Sequence, residues 1–286
     1  MANGDSVFLG VVSHAKSHFA DAQGPDGLAA HLSHELQKLG SSTIVQVNSL
    51  NYFDQSPFDL TARMARDSVR AEIQLEAEWR SYLHGPSRVR QLARIAGRYF
   101  KFHVDWRGHS ATTALRRLLN IEYSHVDLYR SAVASGAKWA IICEDDAFAS
   151  NPADLAKGLM RLIESNTSVQ MVNLSASFSL AEIGVQHLLT VSTSKPWVGS
   201  SARVVYQSER PVTNTVCAVA FRTDFLALIL ADFDSQPTQP VLPIDWKLNA
   251  TLMRLWNSGA IKENECWFVE PAPILQLSMV HDRAGD

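Results

Sequence analysis

Trp139-Ala-Ile-Ile-Cys143, followed at once by Glu144-Asp145-Asp146, decides how this chain is read. Five apolar residues without polar alternation predict a strand buried on both faces, as in the parallel sheet of an α/β protein. The three acids then stand at its carboxyl end, the edge of an open α/β sheet where ligands bind. Crowded carboxylates repel one another and hold protons more tightly unless a cation neutralises them. An oxygen-only donor set suits Mg²⁺ or Mn²⁺, which share their coordination between protein acids and substrate phosphates. The alternative is a plain solvated acidic turn, but turns favour single Asp, Asn and Gly and do not call for Glu-Asp-Asp abutting a core strand.

Working outward, 112–135 reads as a helix broken near Asn120, and Gly136 suits the left-handed cap that delivers the chain into the acidic strand. At the start, 7–12 (Val-Phe-Leu-Gly-Val-Val) predicts a buried first strand, with a helix over 27–39 and a second strand over 43–47. The connection is long enough for a right-handed crossover, so the two strands should be parallel. Ser13 and Asn48 then stand on the same edge as the acids, where polar groups can hold the base and ribose of a nucleotide. Ordinary loop polarity also accounts for each of them singly.

Between 60 and 101 the spacing of Leu60, Met64, Val69, Ile73 and Leu83, with a Gly85-Pro86 break, predicts an inserted helical hairpin. Its second helix, 87–101, places Arg90, Arg94, Arg98 and Lys101 within about 80° of arc, opposite Val89, Leu92, Ala96, Tyr99 and Phe100. Such a helix suits either an anionic surface, as in peripheral membrane contact, or a solvated basic face packed by its other side. Downstream, Asn151-Pro152 opens a helix to about 164, strands are expected over 169–174 and 216–221, a helix over 225–230, and a stiff connector over 237–243. The stretch 175–211 is rich in Ser, Thr and Gly and reads as functional loop.

The chain has 286 residues and shows no repeat or strong linker, so a single catalytic domain spanning 1–286 is expected. Cys143, Cys217 and Cys266 lack zinc or C-x-x-C spacing and read as reduced core thiols of a cytoplasmic protein. The apolar stretch 7–12 is too short and too early for a signal peptide, and no apolar run reaches the ~20 residues of a membrane span. A net charge of −3 argues against nucleic acid as a partner.

The run 123–147, Tyr-Ser-His-Val-Asp-Leu-Tyr-Arg-Ser-Ala-Val-Ala-Ser-Gly-Ala-Lys-Trp-Ala-Ile-Ile-Cys-Glu-Asp-Asp-Ala, resembles the lipooligosaccharide and collagen galactosyltransferase group. Further resemblance lies in Thr215-Val-Cys-Ala-Val-Ala-Phe221, in Pro243-Ile-Asp-Trp246, and in Glu270-Pro-Ala-Pro-Ile274 with Gln276 and Ser278. It covers roughly half of the chain, and the 60–101 hairpin departs from the group's pattern. The resemblance implies a GT-A fold, a mostly parallel sheet flanked by helices. It also implies a metal-dependent transferase that moves a sugar from a nucleotide-sugar donor to a glycan or glycolipid acceptor.

On that basis Glu144 and Asp146 take the ends of a D-x-D-type motif, Glu144 near the donor ribose or the metal and Asp146 on the metal, with Asp145 and His125 beside the donor. Asp245 is the candidate general base, which would make transfer inverting; it equally suits N-capping of a helix over 246–257. His281 is a further candidate ligand, because enzymes of this fold bring a C-terminal histidine back to the metal and imidazole is acceptable to Mn²⁺. Two rivals stand. A sugar nucleotidyltransferase should carry a glycine-rich phosphate loop after strand one, which Val11-Val-Ser-His-Ala-Lys16 lacks. A non-catalytic binding or scaffold protein of the same fold differs only in activity.

Overall fold

The computed structural model describes residues 6–13, 27–48, 61–85, 89, 92–93, 95–97, 111–165, 168–175, 177–192, 197, 203–236 and 241–278. The chain opens with β1 (Ser6–Val12), α1 (Leu28–Lys38) and β2 (Ser42–Asn48), and β1 pairs in parallel with β2. Two helices follow, α2 (Ala62–His84) and α3 (Ala111–Ala134), before the acidic strand β3 (Trp139–Glu144), which lies parallel to β1 on its other side. Val12 stands level with Asn48 in β2 and with Glu144 in β3, so the three strand ends share one edge.

The second half runs β4 (Ala147–Phe148), α4 (Pro152–Ser165), β5 (Met171–Asn173), β6 (Leu189–Val191), β7 (Val204–Ser208), β8 (Ala218–Arg222), α5 (Thr223–Asp234), α6 (Ile244–Asn257), β9 (Cys266–Glu270) and β10 (Leu275–Gln276). The main sheet has the order β2-β1-β3-β8-β5-β9-β7-β6, and β4 pairs with β10 in a small second sheet. In the main sheet β7 and β8 run against the other strands, so it is mixed with most strands in one direction.

Side chains one residue apart on these strands point to opposite faces, and both faces are apolar. Phe8, Ala140, Ile142, Val219 and Phe221 join a core with residues of α2, α3, α5 and α6, among them Trp79, Leu128, Phe225 and Leu248. Val7, Leu9, Trp139, Ile141 and Ala220 join a second core beneath α1 and α4, through Leu32, Leu36, Leu155 and Leu159. Each large side chain removed from water in this way contributes about 1.5–3 kcal/mol. Helices on both faces explain why β3 reads as an unbroken apolar run.

On the α4 face, Gly158 is a point of close approach: a Cβ there would lie 2.2 Å from Cε2 of Trp197. Gly158→Ala should therefore displace the indole and cost about 1–3 kcal/mol of overpacking, seen as a lower urea midpoint. Unchanged stability would show that Trp197 does not pack on α4.

Several expectations change. α3 is continuous through Asn120, and the chain turns after it at Gly136, whose φ is 70°. The 175–211 stretch holds β6 and β7 as well as a 3-10 turn, Gln186–Leu188, because short strands pairing at a sheet edge leave little hydrophobic period to read. α2 is capped by Thr61, whose Oγ1 accepts from the Met64 amide at 3.2 Å, and buries Leu75, Trp79 and Leu83. This part of the insertion belongs to the core. Val89 and Leu92, on the face that one of the two readings packs against the protein, are 81% and 67% exposed. Arg90, Arg94, Arg98 and Lys101 lie outside the described residues. No helix among the described residues is long and apolar enough to cross a membrane.

Candidate active site

Glu144 ends β3 half-buried, and Asp146, two residues on, is buried. Because β8 runs antiparallel to β3, the residue entering β8 arrives at this same edge. The Glu144 amide donates to the Cys217 carbonyl at 2.8 Å. Ligand atoms of Glu144, Asp146 and Cys217 all lie within 4.8 Å of one another. The Cys217 thiol faces Asp146 Oδ1 at 3.8 Å. Burial, reinforced by the charges of Glu144 and Asp146, pushes its pKa well above that of an ordinary cysteine. In the metal-free site Cys217 is therefore a protonated donor.

The C-terminal segment completes the cluster. β10 pairs antiparallel with β4, placing Gln276 opposite Ala147, and the Leu277 amide donates to the Asp146 carbonyl at 2.9 Å. β10 ends at Gln276 and the chain turns into a helical conformation at 277–278, and from these adjoining positions Gln276 and Ser278 reach the two acids. Gln276 Nε2 donates to Glu144 Oε2 at 3.3 Å, and Ser278 Oγ donates to Asp146 Oδ2 at 2.5 Å. Gln276 is anchored in turn by Ser177 Oγ, which lies 2.9 Å from Thr215 Oγ1.

The remaining candidates gather around this centre. Ser13 Oγ donates to Asp145 Oδ2 at 3.1 Å, and the Ser13 amide donates to the Asn48 carbonyl at 2.9 Å. The Asn48 side-chain Nδ2 donates to the Ser124 carbonyl at 3.4 Å, next to His125 on α3. His125 is wholly buried, with Nε2 3.5 Å from Glu144 Oε1, so the contact it offers is to Glu144. His281 lies outside the described residues.

Asp245 does not cap a helix. α6 starts one residue earlier, and Pro243, with φ −50° and ψ 139°, occupies the cap position without a side-chain bond. Asp245 sits instead in the first turn. Burial, with the charge of Glu144 second, raises its carboxyl above the ordinary aspartate range, while the Trp246 amide, its own amide and His125 pull it down. The electrostatics thus tie Asp245 to both Glu144 and His125. Behind it, Trp246 meets Trp79 of α2 edge to face at 5.6 Å, so the insertion buttresses the helix that carries the carboxylate.

One half-buried and one buried carboxylate, with the Cys217 thiol beside them, form a group that could hold a metal ion. Gln276 and Ser278 entered the sequence reading only through the resemblance, and Cys217 only as a core thiol. Their part depends on the β4–β10 pairing and on the direction of β8, neither of which leaves a local signal. No protein-family model matches the chain, and no curated protein matches it.

Proposed function

We propose that this protein is a metal-dependent glycosyltransferase of GT-A type, moving a sugar from a nucleotide-diphosphate donor to a hydroxyl acceptor. The observation that carries the reading is the acid pair Glu144/Asp146 at the carboxyl edge of β3, with the Asp245 carboxylate held in the same electrostatic environment. Glu144 and Asp146 would hold the cation. When bound, the cation acts as a Lewis acid on the diphosphate oxygens. Asp245, made more basic by burial and by Glu144, accepts the proton of the acceptor hydroxyl. The acceptor oxygen bonds to the anomeric carbon as the bond from that carbon to the phosphate oxygen breaks, and the nucleoside diphosphate departs with the electron pair. A single displacement of this kind inverts the anomeric centre. Ser13 and Asn48, on the same strand edge as the acids, would meet the ribose and base.

The acceptor is a glycan or glycolipid. The exposure of Val89 and Leu92, in a segment whose sequence alternates them with Arg88, Arg90 and Arg94, favours one presented on a lipid surface. Flotation with anionic vesicles should recover the wild type and not Val89→Ser/Leu92→Ser, and equal recovery would remove that element. The central test is a thermal-shift screen against UDP, GDP, CMP and dTDP sugars, with and without Mn²⁺. A stabilisation by one nucleotide class that requires Mn²⁺ is expected. No response to any donor would reject the transferase reading.

A further inference from the structure

His125 presents a problem in hydrogen bonding. Its side chain is 0% exposed, yet among the described residues neither Nδ1 nor Nε2 has a hydrogen-bond partner. Leaving a buried polar group unpaired costs about 1–3 kcal/mol. The ring is held by its neighbours, with Tyr129 packed edge to face at 5.8 Å. Glu144 Oε1 lies 3.5 Å from Nε2, a few tenths of an ångström beyond a good bond. The other Glu144 oxygen, Oε2, already accepts from Gln276 Nε2 at 3.3 Å.

We propose that His125 is a positioning residue for Glu144: its Nε2–H closes onto Oε1 while Gln276 holds Oε2, and the carboxylate is fixed in the orientation that receives the cation. This rests on the metal-dependent reading of the acid pair. A carboxylate on a flexible two-carbon stem at a strand end has several rotamers, and donors on both oxygens select one of them. Asp146 has the same arrangement, with Cys217 facing Oδ1 and Ser278 on Oδ2. Partners of this outer kind orient ligands and set affinity without touching the metal. The chain keeps an imidazole with unpaired nitrogens in its core because closing the bond is coupled to filling the site.

The test compares wild type, His125→Phe, His125→Gln and His125→Asn by calorimetric titration with Mn²⁺ alone, alongside circular dichroism to confirm the fold. His125→Phe keeps the volume and loses the donor, and should bind Mn²⁺ about 10- to 100-fold more weakly. Gln carries an amide that reaches the place of Nε2 and should restore most of the affinity. Asn is too short to do so and should behave as Phe does. Wild-type affinity in a folded Phe variant, or equal affinity in Gln and Asn, overturns the proposal. A second arm uses no metal: the ¹⁵N resonance of His125 Nε2 is compared in wild type and Glu144→Gln. A displaced resonance supports the pairing, and an indifferent one overturns it. Absence of Mn²⁺ binding by the wild type would reject the metal reading itself, and the resonance then still decides whether His125 serves Glu144.

Discussion

Asp146→Asn should abolish sugar transfer, lowering kcat by at least about 10³-fold, the equivalent of several kcal/mol of lost Lewis-acid stabilisation. The substitution is nearly isosteric. An asparagine retains a carbonyl oxygen to accept from Ser278 or Cys217, so the neighbourhood of Asp146 keeps part of its bonding and the fold should stay intact by circular dichroism. What disappears is the negative charge that binds a divalent ion. Stabilisation by nucleoside diphosphate should then become independent of Mn²⁺. A variant that kept its Mn²⁺ response would take the acid motif out of the mechanism.

For Asp245→Asn the expected loss is in kcat, by about 10²- to 10⁴-fold, the range for removal of a general base, with donor affinity near that of the wild type. pH supplies a second signature. The folded pKa of Asp245 lies above its ordinary value of 3.8, so the acidic limb of kcat/KM should rise with a midpoint above that value. Linkage gives the sign for stability: the folded state holds this proton more tightly than the unfolded state. The metal-free wild type should therefore lose stability as pH rises from about 3.8 through the raised folded value. Asp245→Asn should lack that decline. A variant with unchanged kcat would leave Asp245 without a catalytic part.

How far the sequence could be read followed from where its signals are local. The apolar run of β3 and the crossover from β1 to β2 depend on nearest-neighbour patterning, and both are present as expected. So is the gathering of Ser13, Asn48 and the acids on one edge, because it follows from parallel pairing alone. Asp245 suits an N-cap by residue type, but the helix start is set by Pro243, two residues earlier. Cys217 was read only as a core thiol, since its place beside Asp146 depends on β8 running against β3. The donors Gln276 and Ser278 depend on a pairing between segments more than a hundred residues apart in sequence. Nothing in their immediate surroundings announces it.

The two faces of the sheet carry unequal duties. His125 and Asp245 belong to helices of the face covered by α2, α3, α5 and α6, while α1 and α4 bear none of the catalytic candidates. Engineering for thermostability usually meets a trade-off with activity, because rigid packing near a working site hinders it. In this molecule that conflict can be avoided by geography. Substitutions at exposed positions of α1 and α4 act across the eight-stranded sheet from the helices that carry His125 and Asp245. A directed-evolution campaign would do well to begin there.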